Sequence, residues 1–141
     1  MKLTRASSYA LHAVAYMAQQ KSTDPVASHH IAAARKIPER FLLKVLKPLV
    51  SARVLQSIKG PNGGYKLAKS ANDITILEIL EAVDGPIRGH ASWAEENNHV
   101  LNNRLEHICK TSADTVRKYL EKVHLSDLIS GKSQPGDKRK S

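Results

Sequence analysis

The chain has 141 residues, of which 41% are apolar and only 4% aromatic, and this composition fits one folded domain with an aliphatic core. Lys and Arg number 22 against 13 Asp and Glu, and a net charge of +9 suits a polyanionic partner or an ordinary solvated basic surface. The single cysteine excludes a disulfide framework within the chain, and no apolar run reaches the roughly 20 residues that span a membrane, so we expect a cytoplasmic protein.

The N-terminal segment is predicted to form an amphipathic helix rather than a signal peptide. Thr4 is a suitable N-cap, and the apolar residues after it recur at helical spacing. His12 and the pair Gln19-Gln20 interrupt them, whereas a signal peptide needs a continuous apolar stretch. The Asp24-Pro25 pair that follows indicates a loop.

Two short helices with a tight break between them are predicted next. Ser28 can cap the first, and the Ile37-Pro38 pair ends it because proline cannot continue a helix. Pro38 in turn suits the first turn of the third helix. A short helix followed by a basic amphipathic one indicates a helix-turn-helix. The third helix carries apolar residues at Phe41, Leu42, Val45, Leu46 and Leu49, with Arg40, Lys44 and Lys47 largely on the other side.

A basic β-hairpin is predicted directly after the third helix. Segments 53–59 and 65–68 contain good strand residues, and the turn between them reads GPNGG, which tolerates positive φ. A hairpin in this position is the wing of a winged helix. Between Ser28 and Lys69 the chain has nine Lys or Arg residues and one acid, Glu39, which favours a nucleic-acid surface.

The remainder is predicted to hold a fourth helix, a loop and a long helix. Asp73 or Thr75 can begin the fourth helix, which ends at residues 84–86. From about His99 the spacing of the apolar residues predicts a long amphipathic helix. The rest of the chain offers too few apolar residues to cover its apolar face, so we assign this helix to dimerisation. Packing back onto the first helix is the alternative, and both can hold. The assigned dimer contacts are Leu101, Leu105, Ile108, Val116 and Leu120.

Segment 37–87 resembles the bacterial winged-helix regulator family that includes IscR, NsrR and CymR. The most specific pieces are the wing motif KGPNGGY at 59–65, Ile74-Thr75, and the VDG triplet at 83–85. The opening MKLTRASSYAL and the HLSDL at 124–128 are also similar, so the resemblance covers about residues 1–128. It implies a homodimeric transcriptional regulator, a repressor in the first instance, that binds a pseudo-palindromic site on double-stranded DNA.

The resemblance also suggests how the chain is divided. It implies a winged helix-turn-helix over residues 1–85, a sensor loop over 86–98 and a dimerisation helix over 99–128. Beyond the resemblance, the Ser, Gly and Lys content of residues 129–141 predicts a disordered basic tail. The predicted fold class is mainly α with a small β-hairpin wing. The sensor loop would respond to a small-molecule or protein effector.

The sequence departs from the family at two places. Lys59 stands where the wing usually carries arginine, and lysine lacks the planar fork that suits a narrow minor groove. Many members hold an iron–sulfur cluster on three closely spaced cysteines before the long helix. Residues 87–103 contain none, and Cys109 falls inside the helix. A three-cysteine cluster is excluded by count, so we expect a cluster-free member and predict no cofactor.

DNA contacts are predicted for the third helix and the wing. Arg40 suits guanine and Glu39 suits cytosine in the major groove, while Lys47 suits a phosphate. Each is equally a residue type of ordinary solvated surfaces. The predicted set is Ser28, Glu39, Arg40, Lys44 and Lys47 on the helices, with Lys59, Asn62, Gly63 and Lys66 on the wing.

The candidate sensor residues are His90, Trp93 and Cys109. His90 could bind a metal or haem together with His99 or His107 if the loop folds back or across a dimer, but no metal site is predicted. Cys109 is a redox switch or, more often at an apolar helix position, an inert packing residue. Trp93 covers an effector pocket or simply packs.

Other functions fit the sequence less well. An adaptor that acts through contact with an enzyme partner would keep dimerisation and lose sequence-specific DNA binding. Catalysis is not predicted, because no nucleophile–base arrangement is present and the glycine-rich turn lies between two strands rather than before a helix. The scarcity of aromatic residues disfavours RNA binding, which relies on stacking.

Overall fold

The computed structural model describes residues 1–91 and 99–130, so Trp93 and the predicted tail beyond Ser130 lie outside the described residues. The predicted fold class is confirmed, with helices around a single antiparallel hairpin. No helix within the two described ranges is long and apolar enough to cross a membrane. The elements are α1 (Arg5–Ala18), α2 (Ser28–Arg35), α3 (Glu39–Ser51), β1 (Leu55–Ile58), β2 (Gly64–Leu67), α4 (Ile76–Asp84), α5 (His99–Leu120) and α6 (Leu125–Ile129).

Side-chain caps explain where two of the helices begin. Thr4 caps α1 as predicted, and its hydroxyl oxygen accepts a hydrogen bond from the Ser7 backbone N–H at 3.0 Å. Of the two candidates for the start of α4, Thr75 rather than Asp73 is the cap. It forms a reciprocal capping box with Glu78, at 3.1 Å and 2.9 Å. Both helices therefore begin for local reasons that the sequence carries.

The start of α2 differs from the prediction. Ser28 is the first residue of the helix rather than its cap, and Ala27 holds the cap position without a side-chain hydrogen bond. The Ser28 hydroxyl donates instead to Oε1 of Glu39 at 3.0 Å. The prediction that Ser28 caps α2 is therefore wrong, because Ser28 already lies within the helix, and its hydroxyl joins α2 to α3 instead.

The core lies where α1, α3 and α4 meet. α1 packs against α2, α3 and α4, while α3 packs against α2, α4 and the hairpin. The buried side chains are almost all aliphatic, as the low aromatic content predicts, and the buried polar Ser7 donates its hydroxyl to Asp84. The largest fully buried apolar side chains are Val14, Ile31, Leu42, Leu46, Leu49, Val54, Leu55, Ile74, Ile79 and Leu125.

The apolar face of α3 is narrower than predicted. Leu42, Val45, Leu46 and Leu49 are buried, but Phe41 is 39% exposed. A helix turns about 100° per residue, so Phe41 lies about a quarter of a turn from the centre of the buried stripe. Phe41 therefore lies at the exposed edge of the predicted apolar face, and its ring is part of the outer surface.

The long helix was predicted to continue to Leu128 but ends at Leu120. After a turn, His124 forms an isolated β-bridge with Thr75, in the segment just before α4. Leu125 then begins α6 and is completely buried in the core. The burial of Leu125 explains why α5 ends at Leu120, because a straight helix would not return the chain to the segment before α4.

The two halves of α5 have different surroundings. Leu120 packs against the core, and Val116 lines a cleft of about 260 Å³ between the N-terminus, α1 and α4. The C-terminal half of α5 therefore packs back onto the rest of the chain, but it does so against α4 rather than chiefly against the first helix, as the alternative held. Leu101 and Ile108, in contrast, are exposed, and Leu105 is half-buried. Whether any of the five residues assigned to the dimer contacts a partner subunit is not tested by these observations, so those assignments remain predictions.

Candidate nucleic-acid interface

The side of α3 that faces away from the core is positively charged. Arg40, Lys44 and Lys47 are all exposed and are spaced by four and three residues, so they line one side of the helix. We call the side that carries these three cations and Leu43 the outer face of α3. Arg40 and Lys44 lie in the N-terminal half of the helix, the part that meets base edges in a helix-turn-helix.

Phe41 borders this outer face and lies beside two of its cations. The guanidinium carbon of Arg40 is 5.0 Å from the centre of the Phe41 ring, and Nζ of Lys44 is 5.7 Å away. These distances suit a cation–π attraction, which is worth about 0.5–1 kcal/mol at an exposed site. The ring therefore helps to order two predicted base-reading side chains. Sequence reasoning missed this role because it grouped Phe41 with the apolar face of the helix.

The structure brings together two of the predicted site residues, Ser28 and Glu39. Their hydrogen bond joins the first turn of α2 to the first turn of α3. A carboxylate in the first turn of a helix is also stabilised by the helix dipole. Glu39 thus has a structural role in the helix-turn-helix, and its predicted contact with cytosine remains a prediction.

The turn between α2 and α3 is built on a lysine in an unusual conformation. Lys36 follows α2 with φ 54° and ψ 43°, in the left-handed region that favours glycine. The Ile37 backbone N–H donates to the Ala32 carbonyl at 2.9 Å and completes the end of α2. The exposed Lys36 side chain therefore stands at the turn at the cost of backbone strain.

We expect Lys36→Gly to raise the free energy of unfolding by about 0.5–1 kcal/mol, because glycine adopts the left-handed conformation without the Cβ clash. Urea denaturation measures the change. Lys36→Ala is the matched control, since it removes the same charge but keeps the Cβ atom, and it should give no gain. Equal stabilisation by both variants would attribute the effect to charge instead.

The wing presents its polar residues at the tip of the hairpin. β1 and β2 are antiparallel and end on the pair Ile58 and Gly64. Lys59 and Asn62 are exposed in the turn, and the Gly63 N–H donates to the Gly60 carbonyl at 3.0 Å. A Cβ atom at Gly63 would overlap the Ile58 carbonyl oxygen, so the tight turn requires glycine there. Gly63 thus has a structural role in the turn, and its predicted contact with DNA remains a prediction.

The base of the wing is attached to the loop before α2. Val26 and Tyr65 form a pair of backbone hydrogen bonds, each 2.8 Å long. Gly64 makes this approach feasible, because a Cβ atom there would overlap the Val26 carbonyl oxygen. Lys66 follows on β2 and is half-buried. This contact sets the position of the wing relative to the helix-turn-helix, and no local pattern of residues predicts it.

The segment between α4 and residue 91 runs closely along α5. Glu106 accepts a hydrogen bond from the Ala91 N–H at 3.1 Å and lies 3.7 Å from Nδ1 of His90. A Cβ atom at Gly89 would overlap the Cys109 carbonyl, so the two backbones are in direct contact. Two candidate sensor residues, His90 and Cys109, therefore lie on either side of this contact.

The other candidate ligands do not converge. His99 and His107 are exposed, and Cys109 is half-buried. In residues 1–91 and 99–130 there is no group of three His, Cys, Asp or Glu side chains that could hold a metal ion. The donor set of one chain, with a single cysteine, does not fit a three-cysteine cluster.

Comparison with known proteins assigns the chain to a family. Residues 3–131 match the family described as Rrf2, iron-dependent transcriptional regulator. The chain belongs to the Rrf2 family. This Rrf2 protein is 34% identical over 133 residues to a candidate HTH-type transcriptional regulator of Mycobacterium tuberculosis, covering 93% of this chain and 83% of the relative. It is 27% identical to the regulator IscR of Cereibacter sphaeroides, covering 96% and 91%.

Solved structures agree with this assignment. The Rrf2 protein resembles CymR, the global cysteine regulator of B. subtilis, with a TM-score of 0.73 and 26% identity over 94% of this chain and 99% of that one. A transcriptional regulator from Listeria innocua matches with a TM-score of 0.76 and 26% identity, covering 100% and 94%. The Rrf2 protein is thus a DNA-binding winged-helix transcriptional regulator and not an enzyme.

Proposed function

We propose that this Rrf2 protein represses transcription by binding a pseudo-palindromic DNA site as a homodimer, without a three-cysteine cluster. The observation that carries the proposal is the outer face of α3, where Arg40, Lys44 and Lys47 are exposed; the wing residue Lys59 is exposed as well. Lys and Arg at such positions neutralise phosphates, and this term supplies the salt-dependent part of the affinity. A protein that acts on the bacterial chromosome works in the cytoplasm, so the proposal includes that location.

Charge balance supports DNA as the partner of this surface. Glu39 is the single acid between Ser28 and Lys69, and its carboxylate already accepts a hydrogen bond from Ser28. The hydrogen bond leaves the charge of Glu39 unchanged, but the nine Lys and Arg residues of this segment outnumber it. Arg40 offers the fork that pairs with guanine, and Lys44 lies one turn further along the same side.

An exposed apolar stripe on α5 supports the dimer. Leu101, Ile108 and Tyr119 are 50%, 57% and 52% exposed, and their spacing places them on one side of the helix. α5 has 22 residues and is about 33 Å long. A second copy that covers this stripe through a two-fold axis would place two α3 helices on successive half-sites.

The proposed absence of a three-cysteine cluster rests on the donor set. One cysteine cannot supply three thiolate ligands, and Cys109 lies in the middle of α5 rather than in the preceding segment. Regulation would then depend on an effector that binds the DNA-competent and DNA-incompetent dimers unequally. Segment 86–91 is the proposed place of action, because it touches both α4 and α5: Glu81 of α4 accepts from the Ile87 N–H at 2.7 Å and pairs with Arg117 of α5.

A genome-wide selection of DNA fragments by the purified protein tests the proposal. It is carried out with and without a chelator and with and without a reductant. An enriched palindrome under all conditions is the expected result and removes metal and thiol oxidation as requirements for binding. No enriched sequence under any condition would contradict the proposal and favour a regulator that acts through contact with a protein partner.

Two substitutions on the outer face of α3 separate base reading from phosphate binding. Arg40→Ala is expected to cost about 1–3 kcal/mol on the selected site and little on random DNA. Lys47→Ala should weaken binding to all DNA sequences similarly. It should also reduce the slope of log K against the logarithm of the salt concentration by about one, because one phosphate contact is lost. Fluorescence anisotropy on selected and random duplexes over a salt series measures both. Equal losses on both duplexes for Arg40→Ala would contradict its assignment to a base.

A further inference from the structure

The outer face of α3 contains an apolar side chain that the charged residues do not account for. Leu43 is 43% exposed, although the residues on either side of it in sequence differ sharply, with Leu42 fully buried and Lys44 exposed. Single exposed leucines are common on protein surfaces. Leu43, however, lies one turn after Arg40 and one turn before Lys47, so it stands beside two cations on the proposed DNA-reading side, with Glu39 on its other flank.

The chemistry of the surroundings decides which partner can cover this leucine. An apolar protein surface seated on Leu43 would also cover Arg40 and Lys47 and would remove their charges from water, which is costly without paired acids. DNA avoids this cost because phosphates pair with the cations. The major groove also offers one prominent apolar group, the C5-methyl of thymine, which apolar side chains contact.

We propose that Leu43 reads the C5-methyl group of a thymine in each half-site, next to the base that Arg40 contacts. The proposal rests on the proposed DNA-binding function and adds a specificity-determining residue to it. Leu43 is in the N-terminal half of α3, which spans Glu39–Ser51, and this half of a recognition helix meets base edges.

Phe41, the other exposed apolar residue of α3, is the weaker candidate for this contact. Its ring already lies within 5.0 Å of the Arg40 guanidinium and 5.7 Å of the Lys44 ammonium. It also lies on the opposite flank of the cations from Leu43, about 160° around the helix axis at about 100° per residue. Phe41 is therefore suited to ordering the cations, and Leu43 is left as the apolar reader.

Thymine-to-deoxyuridine replacement tests the proposal, because it removes only the C5-methyl group and keeps every hydrogen-bonding atom of the base. Each thymine of the selected site is replaced in turn, symmetrically in both half-sites, and the dissociation constant is measured for the wild type and for Leu43→Ala. At one position the wild type should lose about fourfold per half-site, the affinity that corresponds to burial of one methyl group. Leu43→Ala should bind thymine and deoxyuridine equally at that position.

Two further variants complete the test. Phe41→Ala is the matched control, since it also removes an exposed apolar side chain from α3. Its affinity should fall on every duplex because Arg40 and Lys44 lose their ring partner, but its ratio of thymine to deoxyuridine affinity should equal that of the wild type. Leu43→Met keeps an apolar side chain of similar length and should restore most of the preference. Circular dichroism and thermal unfolding of each variant establish that the fold is retained.

The outcomes that would overturn the proposal are distinct. A selected site at which no thymine position is sensitive to deoxyuridine would overturn the role of Leu43 and leave the proposed DNA-binding function intact. An unchanged thymine preference in Leu43→Ala would do the same and would favour a protein contact at Leu43. Failure of the selection to yield any site would overturn the proposed function and the reading of thymine together.

Discussion

Ile108→Glu is expected to convert the dimer into a monomer and to weaken binding to the selected palindrome by about 100-fold or more. Ile108 is exposed in the middle of the α5 stripe, together with Leu101 and Tyr119. In the proposed dimer this position is covered by the partner, and a carboxylate buried there without a cation costs several kcal/mol by the general penalty for buried charges. A monomer also loses the avidity of two linked heads, which is about 10²–10⁴.

Light scattering after size exclusion measures the mass, and anisotropy on the palindrome and on a single half-site measures the affinity. Asn103→Glu is the control, because Asn103 is exposed on α5 and lies away from the apolar stripe. It adds the same charge and should leave the dimer intact. A monomeric wild type, or a dimeric Ile108→Glu with unchanged affinity, would show that this stripe does not form the interface.

Gly64→Ala is expected to lower the free energy of unfolding by about 3–5 kcal/mol. Gly64 has φ +153°, and a Cβ atom there would overlap the Val26 carbonyl oxygen. Because the obstacle is backbone rather than a flexible side chain, the hairpin or the loop before α2 must move. The two 2.8 Å hydrogen bonds between Val26 and Tyr65 would then be lost or stretched. For a domain of ordinary stability this is a large fraction of the total.

Gly60→Ala separates the close approach from backbone conformation. Gly60 also has a positive φ, +111°, but a Cβ atom there meets nothing within 4 Å. Gly60→Ala should therefore lower the free energy of unfolding by only about 1–2 kcal/mol, from backbone strain alone. Urea denaturation of both variants, with DNA binding measured in parallel, gives the comparison. Similar losses for the two glycines would mean that the Val26 contact does not hold the wing in place.

Local features account for the parts of the fold that the sequence predicted well. The Thr4 cap and the Thr75–Glu78 capping box lie within four residues of the helix starts that they define. The glycine-rich turn after Lys59 predicted the hairpin for the same reason. Prediction was less successful where the same residue type is compatible with two environments, such as a helix cap or a contact with another helix. Ser28 bonds Glu39 rather than its own helix, and Phe41 lies outside the core despite its apolar character.

In the candidate site, too, some features follow from local residue spacing and others depend on tertiary contacts. The positions of Arg40, Lys44 and Lys47 on one side of α3 follow from their spacing alone. Their surroundings do not, since the cation–π contacts of Phe41 and the attachment of the wing through Val26 and Tyr65 depend on how distant segments meet. Cys109 could be placed on the long helix from the sequence, but its backbone contact with Gly89 could not.

The sequence by itself determined the helix-turn-helix and wing, the excess of positive charge along them and the insufficiency of one cysteine for a three-cysteine cluster. These properties depend on composition, on residue spacing and on caps and turns a few residues long. The tertiary structure alone decided that α5 ends at Leu120 so that Leu125 can enter the core, and that Val26 and Tyr65 attach the wing to the loop before α2. Such features require contact between segments that are far apart in the chain. No pattern of neighbouring residues predicts the free energy of those contacts.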